Sequence, residues 1–300
     1  MGATESGEGK RTYSAIALLV ACTWLLGLLF QLVWGMLNGS VFTIASTRYG
    51  VWLSLLVPLY LLAFPISLFL LHKLPSKAPE RAHLPAWKCL GLFCVSILLI
   101  YAGAYMGELV TYALSGGRGE DVILGLVQTQ DAPGLKFIAT ILVTPMMEEL
   151  FFRKMLIDRV LVFGEKRAEV FSAVVFALFH MNIAQFFYAA FAGLVLAHLY
   201  IHTGRLLAPF LLHAMLNLFG GFLPSFFSAG AGKMPAIMSE LFYAGMLACC
   251  VLGVFFLLLA GRKALRKNCR RERISPAVYN PGIVFLFSLF CGITALTYVL

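Results

Sequence analysis

Apolar runs near the length of a bilayer crossing recur along this 300-residue chain. A helix needs about 20 mostly apolar residues to cross hydrocarbon. The candidate spans are Tyr13–Leu37, Val51–Leu71, Trp87–Leu114, Lys136–Val162, Ala168–Met181, Gln185–His202, Leu206–Phe227, Ala236–Ala260 and Gly282–Leu300. The fifth and sixth are short. In lipid every backbone N–H and C=O must be satisfied inside the segment, so the runs read as helices. The expected fold is all-α: a polytopic transmembrane helix bundle of about eight or nine spans.

Composition agrees. The chain is 61% hydrophobic and 12% charged, where a soluble protein is about one-quarter charged, and its mean hydropathy is +0.89. The net charge of +9 does not point to nucleic acid, because the basic residues gather in short loops between apolar runs. With the N-terminus inside, the inner loops hold 18 Lys and Arg and the outer side holds four: Arg48, Arg118, Lys136 and Lys233. That asymmetry places the N-terminus in the cytoplasm and, if all runs span, the C-terminus outside. The loop Gly261–Asn280 is the most basic and reads as a topology determinant drawn to anionic lipid.

The remaining local signals are weak. Seven cysteines are scattered without a CxxC or ligand spacing, six of them in or beside apolar segments and Cys269 in the basic loop. They read as small buried hydrophobes and one cytosolic thiol. Met1-Gly2-Ala3-Thr4-Glu5-Ser6 fits a myristoylation pattern, a short match in a chain that needs no lipid anchor. Asn38-Gly39-Ser40 is a sequon of equally little weight. No cleavable signal peptide is expected, and a bacterial inner membrane is the expected location.

The fourth apolar run contains Glu148, Glu149 and Arg153. An acidic or basic side chain at the centre of a membrane helix costs roughly 2.5–3.5 kcal/mol, so these three need partners or a wet cavity. Positions four apart are neighbours on a helix. Glu149 and Arg153 therefore stack as an ion pair, while Glu148 points about 140° away from Arg153. The expected division is a structural or orienting acid, Glu149, and a freer acid, Glu148, suited to act as a base. The plainer alternative is a purely structural Glu–Arg clasp.

Two further groups join them. Phe176-Ala177-Leu178-Phe179-His180 follows a turn expected at Phe163-Gly164-Glu165. Gly164 lies sixteen residues after Glu148 and sixteen before His180. Antiparallel helical arms would bring both to one depth, where a carboxylate and an imidazole can share a water. His213-Ala214-Met215-Leu216-Asn217 puts two hydrogen-bond donors on one helix face, the equipment of an oxyanion hole, or interhelical glue. Counting ~1.5 Å per residue leaves His213 on the order of 10 Å off the level of His180, unless tilt or an unwound stretch in Met181–Gln185 absorbs it. His198 and His202 have metal-compatible spacing but lie beside Thr203-Gly204-Arg205, where interfacial polar residues are expected. His72 and His83 read as loop residues. There is no HExxH, GxSxG, Walker loop or dinucleotide fingerprint.

Together, Glu148-Glu149-x-x-x-Arg153, Phe176-x-x-x-His180 and His213-x-x-x-Asn217 resemble the CPBP family, the CAAX proteases and bacteriocin-processing enzymes also called Abi. Gly193 through His213 also looks like that family's sixth and seventh helices. The match runs from about Lys136 to Phe219, which divides the chain into N-terminal helices (1–134), a catalytic helical core (135–228) and C-terminal helices with the basic loop (229–300).

The resemblance implies an intramembrane endopeptidase acting on a membrane-associated protein or peptide within the bilayer. Carried onto this chain, Glu148 activates water with His180 nearby, His213 and Asn217 stabilise the oxyanion, and Glu149 and Arg153 support the site. The family is often labelled a metalloprotease, and Glu148, His180 and His213 would make a two-His, one-carboxylate zinc set. A metal-free mechanism with Glu148 as base is the favoured expectation, so the cofactor is none or a single zinc. The alternatives are a non-catalytic scaffold or bacteriocin immunity protein on the same fold, and a transporter using the buried carboxylates, which lacks visible internal repeats.

Overall fold

The structure is a computed structural model that describes residues 2–37, 56–116, 133–229, 236–266 and 280–299. The Asn38 sequon, Arg48, Arg118, Lys233, Cys269 and most of the basic loop after Gly261 lie outside the described residues, as do the side chains of the myristoylation-like N-terminus.

Among the described residues there are nine helical rods and no strand. They are α1 (Gly2–Leu37), α2 (Val57–His72), α3 (Ala86–Leu114), α4 (133–163), α5 (Glu165–Phe179), α6 (Ile183–Thr203), α7 (207–229), α8 (Ala236–Arg266) and α9 (Pro281–Val299). Five of them, α1, α3, α6, α7 and α8, are long and apolar enough to cross a membrane, while α2 and α9 are apolar but shorter. Large apolar side chains such as Leu29, Leu109, Leu247 and Leu258 stand exposed on α1, α3 and α8, as lipid-facing residues do. The fold is an all-α membrane helix bundle.

Among the described residues, α4 and α5 do not read as full apolar crossings, for two reasons. Rod α4 carries six charged side chains between Glu148 and Arg159. Helix α5 has 15 residues, about 22 Å at ~1.5 Å each, against a hydrocarbon core of about 30 Å.

Three rods change their winding at proline. In α2, π-helical Val57–Ala63 gives way to α-helical Phe64–His72. In α4, π-helical Ile138–Val143 precedes α-helical Thr144–Glu149, and a second π segment follows at Leu150–Ile157. In α7, π-helical Leu218–Phe222 precedes Leu223–Ala229. Pro65, Pro145 and Pro224 each occupy the second residue of the new α-helical segment. Proline lacks an N–H and its ring clashes with the carbonyl four residues back, and a wider turn just before it relieves that clash.

Packing brings the rods around α6, which lies along α3 and α5, while α8 packs on α3, and α2 and α9 on α1. The α3–α6 contact depends on Gly103 and Gly107. A Cβ on Gly103 would stand 2.6 Å from the Tyr188 backbone, and one on Gly107 would run into the Ala184 carbonyl. Small residues four apart let membrane helices approach this closely.

The reversal between α4 and α5 falls at Gly164 (φ 121°), where the sequence placed it. That between α5 and α6 is made by His180, Met181 (φ 50°) and Asn182, whose side chain accepts the Ala184 N–H at 2.8 Å. Between α2 and α3, residues 75–85 form an irregular strap across the ends of α4 and α6. Lys77 N–H donates to the Asp158 carbonyl at 2.6 Å and Ala82 N–H to the Thr203 carbonyl at 3.1 Å. Gly204 ends α6 in the left-handed region (φ 59°), and a side chain there would strike the strap at the Glu80 carbonyl. Arg159 is buried and donates to the Leu71 and Met155 carbonyls. Asp158 accepts from the Tyr200 hydroxyl at 2.7 Å and pairs with Lys154 at 2.7 Å.

Candidate active site

Rod α4 presents its two carboxylates to different neighbours. Glu149 is fully buried and its Oε2 lies 3.0 Å from Nε of Arg153, also fully buried, one turn later. Nε and Oε2 face each other as an ion pair, off hydrogen-bond alignment. The guanidinium is held elsewhere. Its NH1 donates to Ser172 Oγ on α5 at 2.9 Å, and that hydroxyl donates to the Phe152 carbonyl at 3.1 Å. The guanidinium carbon sits 4.9 Å over the Phe176 ring, a cation–π contact that is strongest when water is excluded.

The other oxygen of Glu149 has a partner that the sequence did not reveal. His213 Nδ1, on α7, lies 2.8 Å from Glu149 Oε1. A carboxylate accepts, so Nδ1 carries the proton and Nε2 is turned the other way. Nε2 lies 3.8 Å from Oε2 of Glu148. Arg153, Glu149, His213 and Glu148 thus form one chain of contacts across α4 and α7. The depth mismatch expected for His213 does not arise, because α7 meets α4 at the level of the carboxylates.

Glu148 is less free than the sequence suggested. Its Oε1 accepts the hydroxyl of Tyr60 on α2 at 3.0 Å. Tyr60 is itself buried and stacks edge-on against Phe64 at 5.0 Å. One carboxylate oxygen is therefore engaged by a phenol, and the other faces the imidazole.

His180 lies at the end of α5, in electrostatic range of Glu148 and His213. Its Nδ1 lies 2.8 Å from the Phe176 carbonyl, which can only accept, so Nδ1 is the protonated nitrogen and Nε2 the unprotonated one. Phe176 sits between the two histidines, edge-on to His180 at 4.9 Å and to His213 at 5.9 Å. Asn217 does not share a partner with His213. Its Nδ2 donates to the Thr140 carbonyl on α4 at 2.8 Å, leaving a second amide N–H on the same nitrogen.

Glu148, Glu149, Arg153, His180 and His213 therefore gather where α4, α5 and α7 meet, while Asn217 binds the Thr140 carbonyl, eight residues before Glu148 on α4. Tyr60, Ser172 and Thr140 complete the contacts. Only a weak signal marked Tyr60: one hydroxylated ring between Pro58 and Pro65 in an otherwise apolar run.

Glu148, His180 and His213 would be the two-His, one-carboxylate set for a zinc. Among the described residues they do not form a group whose ligand atoms all lie within 4.8 Å of one another, whereas Glu169, His198 and His202 do. His213 Nδ1 is bonded to Glu149 and His180 Nδ1 to a carbonyl, which leaves Nε2 of each as the nitrogen that a metal would take. No step below is routed through a metal.

Comparison with known proteins gives a consistent picture. Residues 131–219 match the family model of type II CAAX prenyl endopeptidase Rce1-like proteins. A curated relative is "Putative membrane peptidase YdiL" of Bacillus subtilis (strain 168), 26% identical over 140 residues, which cover 44% of this chain and 53% of that protein. The match spans about half the length of that relative. No solved structure matches significantly. The matched segment contains Glu148, Glu149, Arg153, His180, His213 and Asn217, and over that segment the chain is similar to the CAAX-type membrane peptidases.

Proposed function

We propose that the chain is an intramembrane endopeptidase that hydrolyses a peptide bond in a membrane-associated protein or peptide, with Glu148 as general base. The observation that carries this reading is the 3.8 Å gap between Glu148 Oε2 and His213 Nε2. At that separation one water beside the pair can hydrogen-bond to both the carboxylate and the imidazole.

In this mechanism Glu148 takes a proton from the water as its oxygen attacks the scissile carbonyl. Tyr60 holds the carboxylate on its far side. The developing oxyanion is met by His213, donating from Nε2 in its protonated form, and by the second amide N–H of Asn217. Glu149 orients the imidazole through Nδ1, and Arg153 holds Glu149. His180 offers an unprotonated Nε2 to the same water. Glu148 then returns its proton to the leaving amine, which completes the hydrolysis. Donors fixed before the reaction cost no reorganisation at the transition state.

The positive-inside asymmetry supports a cytoplasmic N-terminus. The decisive experiment is N-terminal proteomics on membranes carrying the wild type or Glu148→Gln. New N-termini that appear only with the wild type are expected, and identical profiles would overturn the reading.

A further inference from the structure

We propose that Glu169, His198 and His202 form a divalent transition-metal site, separate from the carboxylate–histidine site, that fastens α5 to the C-terminal end of α6. His198 and His202 are one turn apart at the end of α6, and Glu169 reaches them from the second turn of α5. Each offers a ligand atom, and the three atoms lie within 4.8 Å of one another. Glu169 stands eleven residues before His180 on α5, about 16 Å along a helix at ~1.5 Å per residue.

The side chains are already drawn together. Nδ1 of His198 lies 2.9 Å and Nδ1 of His202 3.9 Å from the same oxygen of Glu169. The two imidazoles are 4.0 Å apart between centroids and tilted by 30°. His202 Nδ1 also lies 3.0 Å from the His198 carbonyl. A carbonyl accepts, so Nδ1 bears the proton and the lone pair is on Nε2. Metal-binding histidines are held in this way by an outer hydrogen bond.

Tetrahedral bonds of about 2.0–2.1 Å put ligand atoms about 3.4 Å apart. The two histidine side chains are 46% and 44% exposed, so both can turn Nε2 toward an ion beside Glu169. That exposure also leaves room for water in the other coordination positions. His202 lies in the last turn of α6, where the helix dipole favours a cation. Two imidazoles and a carboxylate select zinc, cobalt, nickel or copper over magnesium or calcium.

The site lies outside the proposed reaction, so its test reads binding. The full-length protein in detergent, stripped with chelator, is titrated with Co²⁺ and then Zn²⁺, following visible absorbance and heat. One saturable equivalent is expected in the wild type and equally in Glu148→Gln. His198→Ala with His202→Ala should weaken it at least 30-fold. No saturable binding, or binding unchanged in the double variant, would overturn the proposal. So would binding lost in His213→Ala and kept in the double variant, which would place the metal at the carboxylates. A measurement on the unaltered chain guards against misfolding of variants: Zn²⁺ should protect His198 and His202 from diethyl pyrocarbonate, read residue by residue by mass spectrometry. Unprotected histidines at saturating Zn²⁺ would equally refute the site.

Discussion

Glu149 accepts from His213 and pairs with Arg153 through different oxygens of one carboxylate, at 2.8 and 3.0 Å. A single buried acid thereby ties the histidine of α7 to the arginine of α4. Its neighbour Glu148 keeps one oxygen directed at the same histidine. The two adjacent acids are therefore unequal in what they can do.

Glu148→Gln should insert and fold as the wild type does, because glutamine preserves the acceptor for the Tyr60 hydroxyl. Turnover should fall about 10²–10⁴-fold, the usual contribution of a general base. Peptide-cleavage assays with purified protein, paired with thermal unfolding, separate the two effects.

Tyr60→Phe removes only the hydroxyl that Glu148 accepts. A hydrogen bond to a charged group contributes roughly 1.5–3 kcal/mol, so kcat is expected to fall about tenfold or more with KM little changed. An equal rise in KM with constant kcat would assign Tyr60 to substrate binding instead.

Arg153→Met should be the most damaging single change at the site. Removing one member of a buried ion pair costs roughly 3–5 kcal/mol because the other charge is left uncompensated. Arg153→Met combined with Glu149→Gln should recover part of that stability without recovering activity. A thermal-denaturation double-mutant cycle measures this. Strict additivity would show that the two side chains do not depend on each other.

Gly107→Val tests the bundle rather than the chemistry. The added side chain meets the Ala184 carbonyl where α3 crosses α6. The expected result is a thermal midpoint several degrees lower, since overpacking costs about 1–3 kcal/mol. An unchanged midpoint would mean that α3 and α6 separate without penalty.

The sequence made the local relationships legible and hid the distant ones. Glu149 and Arg153 could be paired because a spacing of four is a contact on any helix. The level of His180 followed from counting outward from Gly164. Tyr60 is 88 residues from Glu148 and His213 is 64 from Glu149, and no spacing rule links residues on separate rods. The run Lys136–Val162 shows the length of α4 but not its π-helical segments. Pro65, Pro145 and Pro224 sit inside apolar runs that still look like single helices by hydropathy. Metal-compatible spacing at His198 and His202 was visible, while the carboxylate that meets them comes from α5.

The strap of residues 75–85 bears on how this protein could be divided. Residues 131–219 hold all six ionisable or amide groups of the motifs, yet they are not structurally self-sufficient. Asp158 and Thr203 give their carbonyls to the strap, Arg159 donates to Leu71, and Glu148 takes the hydroxyl of Tyr60. An excised motif segment would expose each of those groups at a cut surface. Transplanting this chemistry onto another membrane scaffold therefore requires α2 and the strap to travel with it.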